Sequence, residues 1–66
     1  MRIRVNGKFL ESDDPQSLND FIEQTVKQQN FLVAELNGQI IKRPDWQTIR
    51  LNDGDSLELV TLFGGG

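Results

Sequence analysis

Only one stretch of this chain has the spacing of an amphipathic α-helix, and that stretch constrains the fold most strongly. Ser17 is a favourable N-cap. Five residues then recur at i, i+3, i+4, i+7 and i+8, the spacing that forms one face of a helix. They are Leu18, Phe21, Ile22, Thr25 and Val26. The pattern predicts a helix that ends near residues 29–30. A single helix cannot cover its own apolar face, so the flanking segments must supply the surface that buries it.

The first eleven residues predict a β-hairpin. Residues 1–5 alternate between apolar and charged side chains, which is the period of a half-buried strand. Asn6-Gly7 favours a type I′ turn, because both central residues of that turn need positive φ. A two-residue turn places Leu10 opposite Ile3, so we expect Leu10 to face the core. The same register places Phe9 on the other face, where it is a candidate partner-binding residue.

The second half of the chain predicts three more strands. Residues 31–36 and 56–63 have strand patterns, and the short apolar piece Ile40-Ile41 follows an Asn37-Gly38 turn. The resulting order is strand, strand, helix, strand, short strand, strand. It predicts an α+β domain over residues 1–63, with one mixed sheet of four to five strands and a single helix packed across one face.

This arrangement makes specific packing predictions. The first and last strands are expected to be central neighbours in the sheet. Phe21 of the helix and Leu59 of the last strand should be buried in one core. Val60 and Leu62 alternate with the core positions, so they are apolar on the face away from the helix. Neighbouring side chains cover them, or they form a partner-binding patch. Phe63, on the other face of the strand just before the glycines, is a further partner-binding candidate.

Turn-forming segments account for several other notable residues. Trp46, in a loop expected over residues 42–48, is interpreted as a lid over the edge of the core. The acidic pairs Asp13-Asp14 and Asp53/Asp55 lie in turn signals, where Asp is favoured because its carboxylate bonds to nearby backbone N–H groups. We therefore interpret these carboxylates as structural rather than as metal ligands.

Composition excludes several classes of function. The chain has no cysteine and no histidine, so it has no thiolate nucleophile, no Ser-His or Cys-His pair and no zinc finger. Its net charge of −3 disfavours nucleic-acid binding, which needs clustered Lys and Arg. No apolar run is long enough to cross a membrane or to form a secretion signal. These features together predict a cytoplasmic protein that binds neither nucleic acid nor membrane.

The three glycines at the end of the sequence give the strongest functional signal. Glycine is costly to order and adds nothing to a core, so residues 64–66 are expected to be a flexible tail. Without Cβ atoms, Gly64 and Gly65 could thread a channel too narrow for other residues. Gly66 would then present its ionised carboxylate for adenylation by ATP. The alternative is that the glycines are a linker stub or cloning remnant.

Motifs in the second half resemble the sulfur carrier protein ThiS family of thiamin biosynthesis, which has the ubiquitin-like β-grasp fold. The resemblance covers an apolar strand with an Asn turn, an Arg-x-x-Trp pair, a Gly-Asp turn before the last strand, and the glycine terminus. These segments are residues 33–41, Arg43 with Trp46, residues 53–60 and Phe63-Gly64-Gly65-Gly66. Lys42 stands where the family often has proline, and Pro44 follows two residues later.

This resemblance implies a carrier rather than an enzyme. It implies that an E1-like adenylating enzyme converts the Gly66 carboxylate to an acyl-adenylate, using ATP that this chain does not itself bind. A sulfur donor such as a persulfide-carrying protein would then produce a C-terminal thiocarboxylate. Thiazole synthase would take the sulfur from it. The resemblance implies no cofactor and no metal held by this chain.

Three other functions share some of these features. A molybdopterin-synthase small subunit has the same fold and terminus but is usually longer. A ubiquitin-like modifier would use Gly66 to form an isopeptide bond with another protein. A plain interaction module would carry the glycines without using them.

Overall fold

A computed structural model describes residues 1–12, 16–27, 29–30 and 32–61. In these ranges one five-stranded mixed sheet carries one α-helix, as predicted. Its strand order is β2-β1-β5-β3-β4, with β1 and β5 parallel and the other pairs antiparallel. The elements are β1 (Arg2–Val5), β2 (Lys8–Glu11), α1 (Leu18–Thr25), β3 (Leu32–Leu36), β4 (Gln39–Ile41), a 3₁₀ turn (Arg43–Asp45) and β5 (Ser56–Thr61). The first and last strands are central neighbours, which confirms that prediction.

Two Asn-Gly turns build the two hairpins of the sheet. Asn6 and Gly7 have φ of 48° and 86°, and Asn37 and Gly38 have φ of 51° and 87°. Both residues of each pair therefore occupy the positive-φ region that a type I′ turn requires. The β1–β2 register pairs Ile3 with Leu10, as the turn length predicts.

The helix begins where its cap predicts but ends earlier than expected. The backbone N–H of Asp20 donates to Oγ of Ser17 at 3.0 Å, which satisfies one free N–H of the first turn. The helix ends at Thr25 rather than near residues 29–30, because Val26 already has extended dihedrals, φ −125° and ψ 123°. Thr25 and Val26 are both β-branched, which disfavours the helix, and Thr25 Oγ1 donates back to the Phe21 carbonyl at 2.7 Å.

The core lies between α1 and the inner face of the sheet. Phe21 and Leu59 are 3% and 8% exposed and belong to one buried cluster, as predicted. Trp46 belongs to the same cluster and is fully buried, so it is a core residue rather than a lid at the edge. Its Nε1–H donates to the Ile41 carbonyl at 2.9 Å. The 3₁₀ turn, closed by a bond from the Trp46 N–H to the Arg43 carbonyl, folds the indole inward.

Leu10 faces the helix side of the sheet, as predicted, but it is not part of the buried core. It lies on the same side of the hairpin as Ile3, but its side chain remains 39% exposed. The reason is its position on β2, an edge strand. Leu10 lies at an open groove that Phe21 and Thr25 of α1 also line, so the helix does not cover it. The alternating pattern identified the face on which Leu10 lies, but it could not show how far α1 extends over that face.

The acidic turn after residue 51 has the structural role expected of it. The Asp55 carboxylate accepts a hydrogen bond from the Asn52 N–H at 2.7 Å, and that of Asp53 accepts one from the Arg2 N–H at 2.7 Å. Asp13 and Asp14 lie outside the described residues. The eight-residue α1 is far too short to cross a bilayer, and no helix within the described ranges is long and apolar enough to do so.

Candidate functional site

The sheet face opposite α1, here called the outward face, carries exposed apolar side chains. No described element packs on it, and it carries three exposed large apolar side chains: Phe9, Ile40 and Val60, which are 56%, 63% and 57% exposed. The exposure of Val60 and Phe9 confirms that they are accessible, as a partner-binding role requires. Ile40 was not singled out from the sequence, although its register opposite Glu35 places it on this face.

The candidate residues do not form one continuous apolar patch. Phe9 pairs with Arg4, which pairs with Ser56 at the start of β5. Val60 lies four residues further along the same strand, a distance of about 13 Å at the usual rise per residue. Glu58 stands between Ser56 and Val60 on the outward face. A partner that contacts both apolar residues must therefore also cover charged surface.

Charge is distributed unevenly over the outward face. At the β1–β2 end, the Arg2 and Arg4 guanidinium carbons lie 4.1 Å and 5.9 Å from the centroid of the Phe9 ring. At the β3–β5 centre, Glu35 lies directly opposite Glu58. Like charges in direct cross-strand pairs disfavour folding. The pair therefore makes the centre of this face negative, while its β1–β2 end carries the two arginines.

The central strand β5 is held on its β1 side by the side chain of Asn6. The Leu59 N–H donates to Oδ1 of Asn6 at 2.8 Å, and Nδ2 of Asn6 donates to the Leu59 carbonyl at 3.2 Å. The Asn6 N–H also donates to the Leu57 carbonyl at 2.9 Å. The amide of Asn6 therefore acts as an additional rung of the β1–β5 ladder, at the point where the β1 backbone turns away into the hairpin.

The asparagine of the second hairpin holds β5 from the β3 side. The Ser56 N–H donates to Oδ1 of Asn37 at 2.9 Å, and the Asn37 N–H donates to the Ser56 carbonyl at 2.8 Å. Nδ2 of Asn37 also donates to the Asp55 carboxylate at 2.9 Å. Both Asn-Gly turns thus serve two purposes: they reverse the chain, and they fix the strand whose sequence continues into the tail.

Five of the predicted site residues lie outside the described residues. They are Leu62, Phe63, Gly64, Gly65 and Gly66. Their predicted roles remain predictions. The predicted site is therefore represented in the structure by Phe9, Val60 and the strand β5. Within the described part of the chain, no three acidic, histidine or cysteine side chains come together as a metal site would require.

Comparison with known proteins places this geometry in a family. The profile of the ThiS family matches residues 3–66. The chain is 27% identical to the sulfur carrier protein ThiS of Escherichia coli K12 over 66 residues, covering 100% of both. It is 29% identical over 62 residues to the uncharacterized protein ycf40 of Trieres chinensis, covering 94% of this chain and 85% of that protein.

A solved structure gives the same result for the fold. The crystal structure of the thiamine biosynthesis protein (ThiS) from Geobacter metallireducens superposes with a TM-score of 0.86 at 29% identity, covering 100% of both chains. The β-grasp arrangement of five strands and one helix is shared throughout. Because the family profile covers nearly the whole chain and the fold agrees over its full length, this protein belongs to the ThiS family.

Proposed function

We propose that this chain is a sulfur carrier for thiamin biosynthesis whose working group is the Gly66 carboxylate. The observation that carries the proposal is the family match over residues 3–66, which includes the glycine terminus as well as the β-grasp domain. The E. coli relative aligned over its full length is a sulfur carrier protein. The fixed central strand supports the proposal, since the sequence of the tail directly follows a strand that is bonded on both sides.

The proposed chemistry has two stages. A Gly66 carboxylate oxygen attacks the α-phosphorus of ATP, and pyrophosphate leaves, so that an acyl-adenylate forms. The terminal sulfur of a donor persulfide then attacks the activated carbonyl and displaces AMP. A second thiolate cleaves the resulting acyl disulfide at its S–S bond, leaving the thiocarboxylate on Gly66 and a disulfide on the donor side. In this scheme ATP is bound by the activating partner, and this chain supplies only the acyl group.

The scheme accounts for how a chain without cysteine can carry sulfur. The sulfur atom is bonded to the terminal carbonyl carbon, so no side chain of the carrier has to be a nucleophile. Catalytic groups reside on the partners: an E1-like adenylating enzyme, a persulfide-carrying sulfur donor and a thiazole synthase. The chain is then a protein co-substrate, and its surface has to be recognised by each of them in turn.

Exposed apolar residues are the proposed contacts for these partners. Val60 is exposed on β5 a few residues before the tail, so a protein that binds the tail would reach it first. A partner bound at Val60 would contact Phe9 only if the interface extended further across the outward face. Leu62 and Phe63, two apolar residues between Val60 and the tail in the sequence, complete the proposed contact set.

Intact-mass measurement tests the proposed function directly. The chain is incubated with ATP, the adenylating enzyme and a persulfide donor, and replacement of one oxygen by sulfur adds about 16 Da. We expect deletion of Gly66 to abolish this change, since it shortens the reach by about 3.3–3.6 Å. Misplacing a reacting atom by even about 1 Å can cost on the order of 100-fold in rate.

A second variant and a matched control complete the experiment. Gly65→Leu should block threading into the partner's channel, whereas Gln47→Leu, an exposed position in the loop beside Trp46, should leave the reaction unchanged. All variants should retain the wild-type urea midpoint. Normal thiocarboxylate formation by both tail variants would refute the role of the tail. Formation of protein adducts would instead indicate a ubiquitin-like modifier. An unchanged mass of the wild-type chain would indicate an interaction module. Restoration of molybdopterin synthase rather than thiazole synthase by the thiocarboxylate would indicate the other carrier pathway.

A further inference from the structure

The β1–β2 end of the outward face has an unusual arrangement of one ring and two cations. Phe9 is 56% exposed in the middle of an edge strand, where a large apolar side chain has little to pack against. The Arg2 guanidinium lies over its ring at 4.1 Å, within cation–π range, and that of Arg4 approaches at 5.9 Å. We call these three residues the Arg–Phe site.

Neither guanidinium of the Arg–Phe site is neutralised by a carboxylate in the described part of the chain. Glu11 lies directly across the strand pair from Arg2, yet the structure records no ion pair between them. The nearby Asp53 carboxylate accepts from the backbone N–H of Arg2, not from its side chain. The Arg2 guanidinium therefore lies over the Phe9 ring rather than in an ion pair with Glu11. The N–H groups of both guanidiniums remain available to bind a ligand.

This arrangement suits the recognition of carboxylates. A guanidinium stacked on a ring keeps its planar donor edge free, and that edge matches the two oxygens of a carboxylate. Holding the side chains against Phe9 reduces the entropy that binding would otherwise cost. The acidic pair Glu35 and Glu58 on the same face, together with the net charge of −3, would repel a phosphate backbone. The ligand that the charges favour is therefore a short carboxylate-bearing segment that reaches the Arg–Phe site at the edge of the face, because an extended acidic surface would meet the same acidic pair.

We propose that the Arg–Phe site docks a carboxylate-bearing segment of the enzyme that adenylates the tail. The proposal rests on the proposed function and names a second, remote contact for the same partner. The separation is compatible with one interface: Phe9 lies about 13 Å from Val60 along the strand direction and about 10 Å, two strand spacings, across the sheet, or about 16 Å in all, whereas a standard interface of about 800 Å² per partner is about 28 Å across. The site would orient the carrier so that the tail enters the channel in one direction only.

Charge-removing variants test the proposal against a matched control. Arg2→Gln/Arg4→Gln and Lys27→Gln/Arg50→Gln each remove two positive charges, but Lys27 and Arg50 belong to no strand of the sheet. In ATP–pyrophosphate exchange with the adenylating enzyme, we expect the first variant to raise the KM for the carrier about 10-fold, with kcat unchanged. The control variant should remain within about twofold of wild type, because its charges lie outside the docking surface.

Salt and a conservative variant separate docking from a loss of structure. The wild-type KM should rise with ionic strength, and that of Arg2→Gln/Arg4→Gln should depend on salt much less. Arg2→Lys/Arg4→Lys keeps the charge but loses the planar donor edge, so its KM should lie between the two. This variant also decides the matter if the glutamine variant fails to fold.

The possible outcomes distinguish this proposal from the proposed function. An absence of exchange with wild-type protein would refute the proposed function, and the docking proposal would fall with it. Normal wild-type exchange, with the Arg2/Arg4 variants equal to the Lys27/Arg50 control at every salt concentration, would refute the docking proposal alone. A fall in kcat without a change in KM would also overturn it, since a docking contact acts on encounter rather than on the chemical step.

Discussion

The two side-chain amides that hold β5 allow a matched test of how the central strand is stabilised. Asn6→Gly removes both bonds to the Leu59 backbone, at 2.8 Å and 3.2 Å in a partly buried site. Glycine accepts the positive φ of this turn without steric cost. The two lost bonds, each worth about 1–1.5 kcal/mol when partner groups are left partly buried, predict a loss of about 2–3 kcal/mol.

Asn37→Gly provides the control at an equivalent turn. Asn37 also has positive φ and precedes glycine, so the extra unfolded-state entropy of the new glycine is the same in both variants. Its side-chain bonds, to the Ser56 N–H and the Asp55 carboxylate, are exposed and are readily replaced by water. We expect a loss of about 1 kcal/mol here, and therefore a difference of about 1–2 kcal/mol between the variants.

Urea denaturation and amide exchange measure this difference. With a slope of about 1 kcal/mol/M for a protein this small, the midpoints of the two variants should lie about 1–2 M apart. The Leu59 amide, whose acceptor is the Asn6 side chain, should also exchange faster in Asn6→Gly than in Asn37→Gly. Equal midpoints, or a larger loss for Asn37→Gly, would refute the idea that Asn6 acts as a rung of the ladder.

Other predictions concern the core and the outward face. Phe21→Ala and Leu59→Ala should each lower the free energy of unfolding by about 2–5 kcal/mol, and unchanged denaturant midpoints would contradict the helix-on-sheet packing. Trp46→Phe should cost roughly 2 kcal/mol, because it leaves a small cavity and a carbonyl without its donor; calorimetry would show a lowered Tm. Val60→Asp should weaken binding to the adenylating enzyme while leaving the isolated fold intact, whereas Gln47→Asp should bind normally in the same titration. Unfolding of the Val60 variant would instead assign that residue to the core.

Local signals predicted the elements of this fold well. The Asn-Gly pairs at residues 6–7 and 37–38 determined both hairpins and their registers, because only a few residue pairs accept two consecutive positive φ values. Ser17 marked the start of the helix through the bond its hydroxyl accepts. The end of the helix was less predictable, because the periodic pattern continues through Val26 although its backbone has already left the helix.

Contacts between distant segments could not be predicted in the same way. The exposure of Leu10 depends on how far α1 extends over an edge strand, and the full burial of Trp46 depends on how the 3₁₀ turn folds back. The Asn6–Leu59 bonds join residues 53 apart in sequence, and nothing near Asn6 indicates them. The cation–π contacts of Phe9 were partly predictable. The register of the hairpin places Arg4 beside Phe9, but it does not indicate that the Arg2 guanidinium approaches the ring.

The central position of β5 has a consequence for the order in which the chain folds. Each Asn-Gly hairpin joins strands that are adjacent in sequence and can form within about 1–10 μs. The β1–β5 pair instead joins Arg4 to Ser56, so a long loop must close before that ladder forms. We therefore expect insertion of β5 between the two hairpins to limit the folding rate.

Refolding rates provide the check on this order. Substitutions in β5 such as Leu59→Ala should slow refolding, and a refolding rate unaffected by them would contradict it. If β5 inserts last, completion of the sheet and placement of the strand that leads into the tail are one event. A chain that has formed only its local hairpins would then offer an activating enzyme no fixed strand ahead of the glycines, so the last folding step would itself decide which molecules can be activated.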